Sequence, residues 1–371
     1  MTDMVELLKA GGDLDLGNVD RLLQSHRFPL VEPAGVTFVY RGDAEAVRLR
    51  HWILGLPSGQ PLERVDGSDL WRLFVELPPR SRVEYKFELV EHGTERWIND
   101  PLNPILAHDP FGANSVCATF GYERPDWTLV DPDAKPGSVD ERQLHSSVFG
   151  DERRFKVYLP SSFRRRRRYP LLIVHDGSDF LSYADLKIVL DNLTHRRAIA
   201  PMIVALSDPV DRLGEYCGSA DHARFLVEEL LPHLRRRFPL RRRVGAHGLM
   251  GASLGAVASL TTAWRYPGVF GNLVLQSGSF VLDNTGPRRR DPLFDSVAAA
   301  MQAYCAAPGR PAARLYVSCG IYESLIHENR SMVPFFRNQG LEVRYEEARD
   351  GHHWENWRDR LEGALSWLFP A

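Results

Sequence analysis

Between Val244 and Ser259 the chain reads Val-Gly-Ala-His-Gly-Leu-Met-Gly-Ala-Ser-Leu-Gly-Ala-Val-Ala-Ser, and no other stretch restricts the fold as strongly. Gly251, Ser253 and Gly255 make a G-x-S-x-G, approached by an apolar run suited to a strand and followed by small residues suited to a helix. A serine at a sharp strand-to-helix turn occupies strained backbone, and only neighbours with little or no side chain fit beside it. The helix that follows aims its N-terminus at the serine, where negative charge develops during attack on a carbonyl. A chain with 29 glycines also produces this motif by chance, so the reading depends on the residues downstream of the serine and on their order.

Around the elbow the pattern alternates strand and helix. Arg142 to Phe149 and Phe155 to Leu159 read as an antiparallel opening pair. Pro170 to Val174, Pro201 to Leu206, Val244 to Ala252, Asn272 to Gln276, Arg314 to Ser318 and Leu341 to Glu346 read as buried strands. Ser219 to Phe238 is an amphipathic helix with a capping serine, and Glu355 to Leu368 closes the fold. Eight strands in this order predict a mostly parallel sheet covered on both faces, the α/β-hydrolase arrangement.

Before residue 126 the period is two. Val36 to Arg41, Ala46 to Trp52, Leu70 to Leu77 and Val83 to Val90, separated by turn residues, predict a small all-β, immunoglobulin-like sandwich. The predicted division is a sandwich with a short lead-in over 1–125, a linker over 126–141 and a catalytic domain over 142–371. Val19 to Leu23 is a short helix candidate inside the lead-in. Trp71, Tyr85 and Phe87 are expected to fill the sandwich core, not to form a sugar platform.

Lys plus Arg number 46 against 48 Asp plus Glu, which gives no global basic field for nucleic acid. The arginines cluster at Arg164 to Arg168, Arg235 to Arg237, Arg241 to Arg243 and Arg288 to Arg290, chiefly as solvated turns and helix ends. No apolar run reaches membrane-spanning length, and the N-terminal residues lack the pattern of a signal peptide, so a cytoplasmic protein is expected. Cys117, Cys217, Cys305 and Cys319 are too scattered for a zinc site or a disulfide framework, and no metal or cofactor is expected.

The chemistry follows from Ser253 as nucleophile, which needs a neutral imidazole in hydrogen-bond reach. Asp350-Gly351-His352-His353 lies after the last strand; His352, directly after the glycine, is the first choice and His353 the second. Glu323, beyond the strand before it, is the orienting acid, with Asp283 as fallback. The oxyanion would be held by the amide of Leu254 and one from Gly177 or Ser178 in the loop after the first parallel strand.

At these residues the chain resembles the esterase D family of α/β-hydrolases. The resemblance rests on Gly-Ala-Ser-Leu-Gly, Arg265-Tyr-Pro-Gly, Gln276-Ser-Gly-Ser, Gly320-x-x-Glu323 and Gly351-His352. Asp176-Gly177, Arg212-x-x-Glu215 and the N-terminal module, with Trp71, Tyr85-Lys86-Phe87 and Asn99-Asp100-Pro101, are most similar to its enterochelin esterase branch. The resemblance implies a cofactor-free serine carboxylic ester hydrolase acting on the trilactone of a catecholate siderophore to release iron. Ser253, Glu323 and His352 would form the triad. Phe180, Arg212, Phe280 and His353 fall where substrate contacts are implied, and Phe180, Phe280 and His353 depart from the residues common in relatives. The partner implied is a small-molecule ester, such as a ferric catecholate, with no nucleic acid or membrane and with room for an oligomer. Rival readings are a feruloyl, acetyl or general short-chain esterase, and a non-catalytic siderophore- or carbohydrate-binding protein on a hydrolase scaffold.

Overall fold

The computed structural model describes residues 16–285, 290–292 and 294–371; the lead-in before residue 16, together with Arg288 and Arg289, lies outside the described residues. The chain divides into two compact units. Of the described residues, one unit holds those up to 124 with 320–323 and 348–353, and the other holds those of 125–319, 324–347 and 354–371.

Among the described residues the first unit begins with a helix, Leu16–Ser25, whose Val19 is buried among Phe28, Leu30 and Leu70. Its strands are β1 (Leu30–Glu32), β2 (Gly35–Arg41), β3 (Ala46–His51), β4 (Gly59–Pro61), β5 (Glu63–Arg64), β6 (Leu70–Val75), β7 (Arg82–Glu91), β8 (Thr94–Ile98), β9 (Leu106–Asp109) and β10 (Gly112–Ala118). They form one sheet in the order β1-β2-β6-β5 and a second in the order β4-β3-β7-β10-β9, with β8 on β7. Alternate residues of the two sheets make the core. Phe38 and Tyr40 of β2 meet Tyr85 and Phe87 of β7 edge to face, with ring centroids 4.8 and 5.7 Å apart. Trp71 is buried too, its indole N–H donating to the Gly42 carbonyl. Buried Asp100 accepts from the Tyr85 hydroxyl at 2.6 Å, and burial pushes its carboxyl up to about 6.

The second unit carries β11 (Ser138–Ser146), β12 (Asp151–Leu159), β13 (Leu171–His175), β14 (Ile203–Ser207), β15 (His247–Ala252), β16 (Asn272–Gln276), β17 (Arg314–Gly320) and β18 (Glu342–Ala348). Their order is β11-β12-β14-β13-β15-β16-β17-β18. β11 and β12 pair antiparallel, β12 is antiparallel to β14, and β14-β13-β15-β16-β17 are parallel neighbours. Strands buried on both faces need apolar residues throughout, and Leu-Leu-Ile-Val in β13 and Ile-Val-Ala-Leu in β14 supply them. One face packs on the helices Leu254–Arg265, Phe294–Ala306 and Ile326–Asn338, the other on Leu186–His195 and Leu361–Leu368.

Four boundaries differ from the sequence reading. β11 begins at Ser138, inside the stretch expected as linker, because Val139 packs against the core of the second face. β15 begins at His247, after a 3-10 turn at Val244–Ala246 where Gly271 presses so close that a Cβ on it would stand 2.7 Å from the Gly245 Cα. The long helix runs as Ala220–Arg224, a π-helical Phe225–Leu230 and Leu231–Arg237; Pro232 has no N–H to give to the Glu228 carbonyl, so the regular pattern cannot pass through. The closing helix is two pieces, Trp354–Arg358 and Leu361–Leu368, parted beside the buried Arg358–Asp359 ion pair. No described helix is long and apolar enough to cross a membrane.

Candidate active site

β15 delivers Ser253 into a backbone conformation with φ 56° and ψ −119°, and the helix Leu254–Arg265 starts at the next residue. That left-handed turn is strained for a residue with a Cβ and survives because its surroundings are fixed. The Ser253 amide donates to the Gln276 carbonyl at 2.9 Å, and the Ser279 amide donates back to the Ser253 carbonyl at 3.2 Å. Close approach requires glycine at 251 and leaves little room at 255. A Cβ on Gly251 would lie 2.3 Å from the Gly255 carbonyl oxygen, and one on Gly255 would lie 3.2 Å from the His175 Cβ. The Ser253 hydroxyl stands 3.2 Å from that of Ser279.

β13, the parallel neighbour of β15, also leads through a residue of positive φ into a helix. Asp176 takes φ 53°, and the helix Gly177–Tyr183 begins immediately after it. Gly177 and Leu254 are thus the first residues of two helices, whose amides have no carbonyl one turn earlier to donate to. Only glycine fits at 177, since a Cβ there would stand 2.5 Å from the Leu206 Cα. Ser178 is differently committed: its amide donates to Asp208 Oδ1 at 2.8 Å, and its hydroxyl donates to Asp208 Oδ2. Of the two residues considered for the second oxyanion donor, Gly177 therefore has the amide available.

In the other unit, Glu323 lies three residues beyond the end of β17 and His352 in the loop after β18. Glu323 Oε2 contacts His352 Nδ1 at 2.6 Å, while Oε1 accepts from the Gly320 amide at 2.6 Å. The carboxylate is buried and the imidazole 37% exposed, so the pair turns one wet ring against a dry acid. His353 has different partners. Its Nδ1 lies 3.1 Å from Asp350 and 3.7 Å from Glu84, and Arg82 pairs with both acids at 3.4 and 2.9 Å. Burial disfavours the His353 cation, but Glu84 and Asp350 outweigh it and raise its pKa. The loop is further pinned by the Arg82 amide donating to the Arg349 carbonyl and the Gly351 amide to the Asp350 side chain. His353 is a largely covered anchor for this loop, its side chain 15% exposed, while His352 is more exposed.

The remaining residues expected near substrate divide between core and surface. Phe180 is fully buried, its ring edge to face with Trp354 at 5.2 Å, and Phe280 is fully buried against Phe336 at 6.0 Å. Both pack in cores. Arg212 makes a bidentate bond to Asp176 at 2.9 and 2.8 Å and lies over the Tyr216 ring, with 41% of its side chain exposed. Asp283 accepts from the amide and hydroxyl of Thr285 in a local turn.

Sequence reasoning missed the polar chain beneath the elbow. Arg153 donates to Glu215 at 2.6 Å, Glu215 contacts His222 Nδ1 at 3.3 Å, and His222 Nε2 contacts His175 Nε2 at 3.0 Å. The His175 Nδ1 lies near the Met250 carbonyl and the Ser259 hydroxyl. Burial first, then His222, pushes His175 down to about 3, so it is neutral. Burial works against the Glu215 carboxylate, yet its bonds from His222 and Arg153 hold it down at about 2. The Arg212-x-x-Glu215 spacing hinted at this chain; the partners on β12 and β13 gave no local signal.

A strained serine between a strand and a helix on a largely parallel eight-stranded sheet defines an α/β-hydrolase. Residues 146–368 match the family described as putative esterase, and the chain belongs to it, as a carboxylic ester hydrolase similar to the enterobactin esterases. An uncharacterized Bacillus subtilis protein, YjcH, is 31% identical over 150 residues, 38% of this chain; the match spans 62% of that relative's length. The iron(III) enterobactin esterase of Escherichia coli O6:H1 is 24% identical over 333 residues, covering 82% of this chain and 81% of that protein. The Shigella flexneri enterobactin esterase, crystallised in the presence of enterobactin, shares the fold with a TM-score of 0.76 at 21% identity, over 94% of this chain and 97% of that one.

Proposed function

We propose that this protein is a serine esterase that opens the ester bonds of a catecholate siderophore trilactone and so lets its iron go. Ser253 is the nucleophile, His352 the general base and then acid, and Glu323 the residue that orients the imidazole. The observation that carries the mechanism is the 2.6 Å contact between Glu323 and His352 Nδ1, since a carboxylate on Nδ1–H leaves Nε2 as the proton acceptor. The similarity to enterobactin esterases supports the substrate.

In the first step His352 Nε2 takes the Ser253 hydroxyl proton as Oγ bonds to the carbonyl carbon. The oxyanion sits against the amides of Leu254 and Gly177. Collapse breaks the bond to the alkoxide, which receives the proton from His352, leaving the acyl group on Ser253. Water then gives a proton to His352 and its oxygen to the acyl carbon, and the serine is restored. Iron enters only as part of the substrate.

The test is hydrolysis of enterobactin, with and without iron, beside p-nitrophenyl acetate and methyl ferulate, by the wild type and Ser253→Ala. Turnover of the trilactone that vanishes in the variant and exceeds the other two in kcat/KM is expected. Serine-dependent turnover of only the simple or feruloyl ester would keep the mechanism and discard the substrate. No turnover of any ester would favour a binding role.

A further inference from the structure

At the edge of the large sheet, the ribbon of β11 and β12 runs beside the helix Gly177–Tyr183 and carries a row of charged side chains. Glu141 stands opposite Lys156, and Gln143 opposite Arg154, so these four share one face. Phe155 and Val157, alternating with them, enter the core of the other face. Between this row and the start of the helix lies a groove of about 710 Å³, walled by Glu141, Gln143, Arg154, Lys156, Ser178 and Asp208.

Its polar groups are unevenly satisfied. Asp208 is occupied by both the amide and the hydroxyl of Ser178. Lys156 Nζ donates to the neutral Ser178 hydroxyl at 2.8 Å, so its charge meets no carboxylate at that contact. Arg154 is exposed and has no ion pair or hydrogen bond among the described residues. A guanidinium offers five donors in a planar fork that matches two adjacent oxygens, and here that capacity is unused. Glu141 sits across the ribbon from Lys156, which directs an anion toward the Arg154 end.

The position matters as much as the charge. Ser178 is the residue after Gly177, whose amide is assigned to the oxyanion. β12 is separated from β13 by β14 alone, so Arg154 lies about 10 Å across the sheet from the strand that leads to Gly177. An acetyl group cannot cover that span, whereas an aryl amide arm branching from a larger ester can.

We propose that this groove is the subsite for an anionic aryl arm of the ester substrate, remote from the bond that breaks, with Arg154 gripping paired oxygens and Lys156 lining the approach. The proposal deepens the esterase reading and rests on it for the nature of the arm, a catechol with adjacent oxygens.

The test is equilibrium binding, by calorimetry, of 2,3-dihydroxybenzoylserine, which has no ester and is not turned over by this chemistry. Arg154→Glu is expected to weaken binding about tenfold or more. Arg166→Glu, the same charge change on the exposed Arg164 to Arg168 turn, is expected to leave it within about twofold; thermal melting of both variants verifies the fold. Absence of binding to the wild type, no effect of Arg154→Glu, or equal weakening by both variants would each overturn the proposal. Serine-dependent turnover of enterobactin is scored separately. Turnover without Arg154-dependent binding rejects the groove alone, and Arg154-dependent binding without turnover rejects the substrate reading alone.

Discussion

Replacing Glu323 by Gln tests the catalytic assignment with almost no change in volume. The carboxylate serves two donors at once, the Gly320 amide and His352 Nδ1, each at 2.6 Å. Glutamine has one carbonyl oxygen and one NH₂, so only one of those donors keeps an acceptor. If the oxygen stays with Gly320, the NH₂ faces the imidazole, Nδ1 must become the acceptor, and the proton moves to Nε2, where it blocks acceptance from Ser253. If the oxygen turns to His352, the NH₂ meets the Gly320 N–H in a buried site, and the clash costs about 1–3 kcal/mol of stability. The first arrangement is the cheaper one and the catalytically damaging one. By analogy with other triads the loss in kcat is about 10³- to 10⁴-fold, or roughly 4–5.4 kcal/mol in the barrier. Steady-state hydrolysis of p-nitrophenyl acetate gives kcat, and calorimetric melting shows which arrangement the variant adopts. A folded Glu323→Gln protein that keeps more than a tenth of wild-type kcat would refute the reasoning.

Further outcomes follow from the same geometry. Gly251→Ala forces a Cβ to 2.3 Å from the Gly255 carbonyl oxygen, both on fixed backbone, and should cost about 3 kcal/mol or more in urea unfolding and remove activity. Glu215→Ala leaves Arg153 and His222 without their buried carboxylate and should destabilise the fold by about 3–5 kcal/mol, read in the same assay. Asp100 has a folded pKa of about 6, above the ordinary 3.8, so its contribution to stability is fully present below about pH 4 and is lost as pH rises through 6. The loss is roughly 3 kcal/mol by pH 7. Urea midpoints measured from pH 4 to 7 should therefore carry a downward component that disappears in Asp100→Asn.

The fold was legible where local pattern and burial agree. The alternation in β2, β3, β6 and β7 and the apolar runs of β13, β14 and β16 marked strands to within a few residues, because each needs one face or two faces of apolar side chains. The boundaries that moved depend on partners remote in sequence. Val139 extends β11 because helix-face residues far along the chain receive it, and Pro232 shapes a π segment upstream of itself. The two histidines after Gly351 illustrate the same limit. Sequence position ranked His352 over His353 without a physical contrast between them. The contrast comes from Arg82 and Glu84, some 270 residues earlier, which draw His353 into a buried ionic cluster.

The glycines of the elbow link motif to mechanism. Gly255 packs tightly on His175, where a Cβ would stand 3.2 Å from the His175 Cβ, and His175 is held there by His222, Glu215 and Arg153 in turn. A cation under Ser253, the proposed nucleophile, that came and went with pH would alter the field at its hydroxyl oxygen. Burial prevents that by holding His175 neutral down to about pH 3. Its tautomer then sets the direction of the first contacts: if Nδ1–H donates to the Met250 carbonyl, the neutral His175 Nε2 is left as an acceptor facing His222 Nε2 at 3.0 Å, and the Glu215 carboxylate lies beyond His222. What the G-x-S-x-G pattern records at this site is the close packing of Gly251 on the Gly255 carbonyl and of Gly255 on the His175 Cβ, in addition to the backbone freedom that the turn demands.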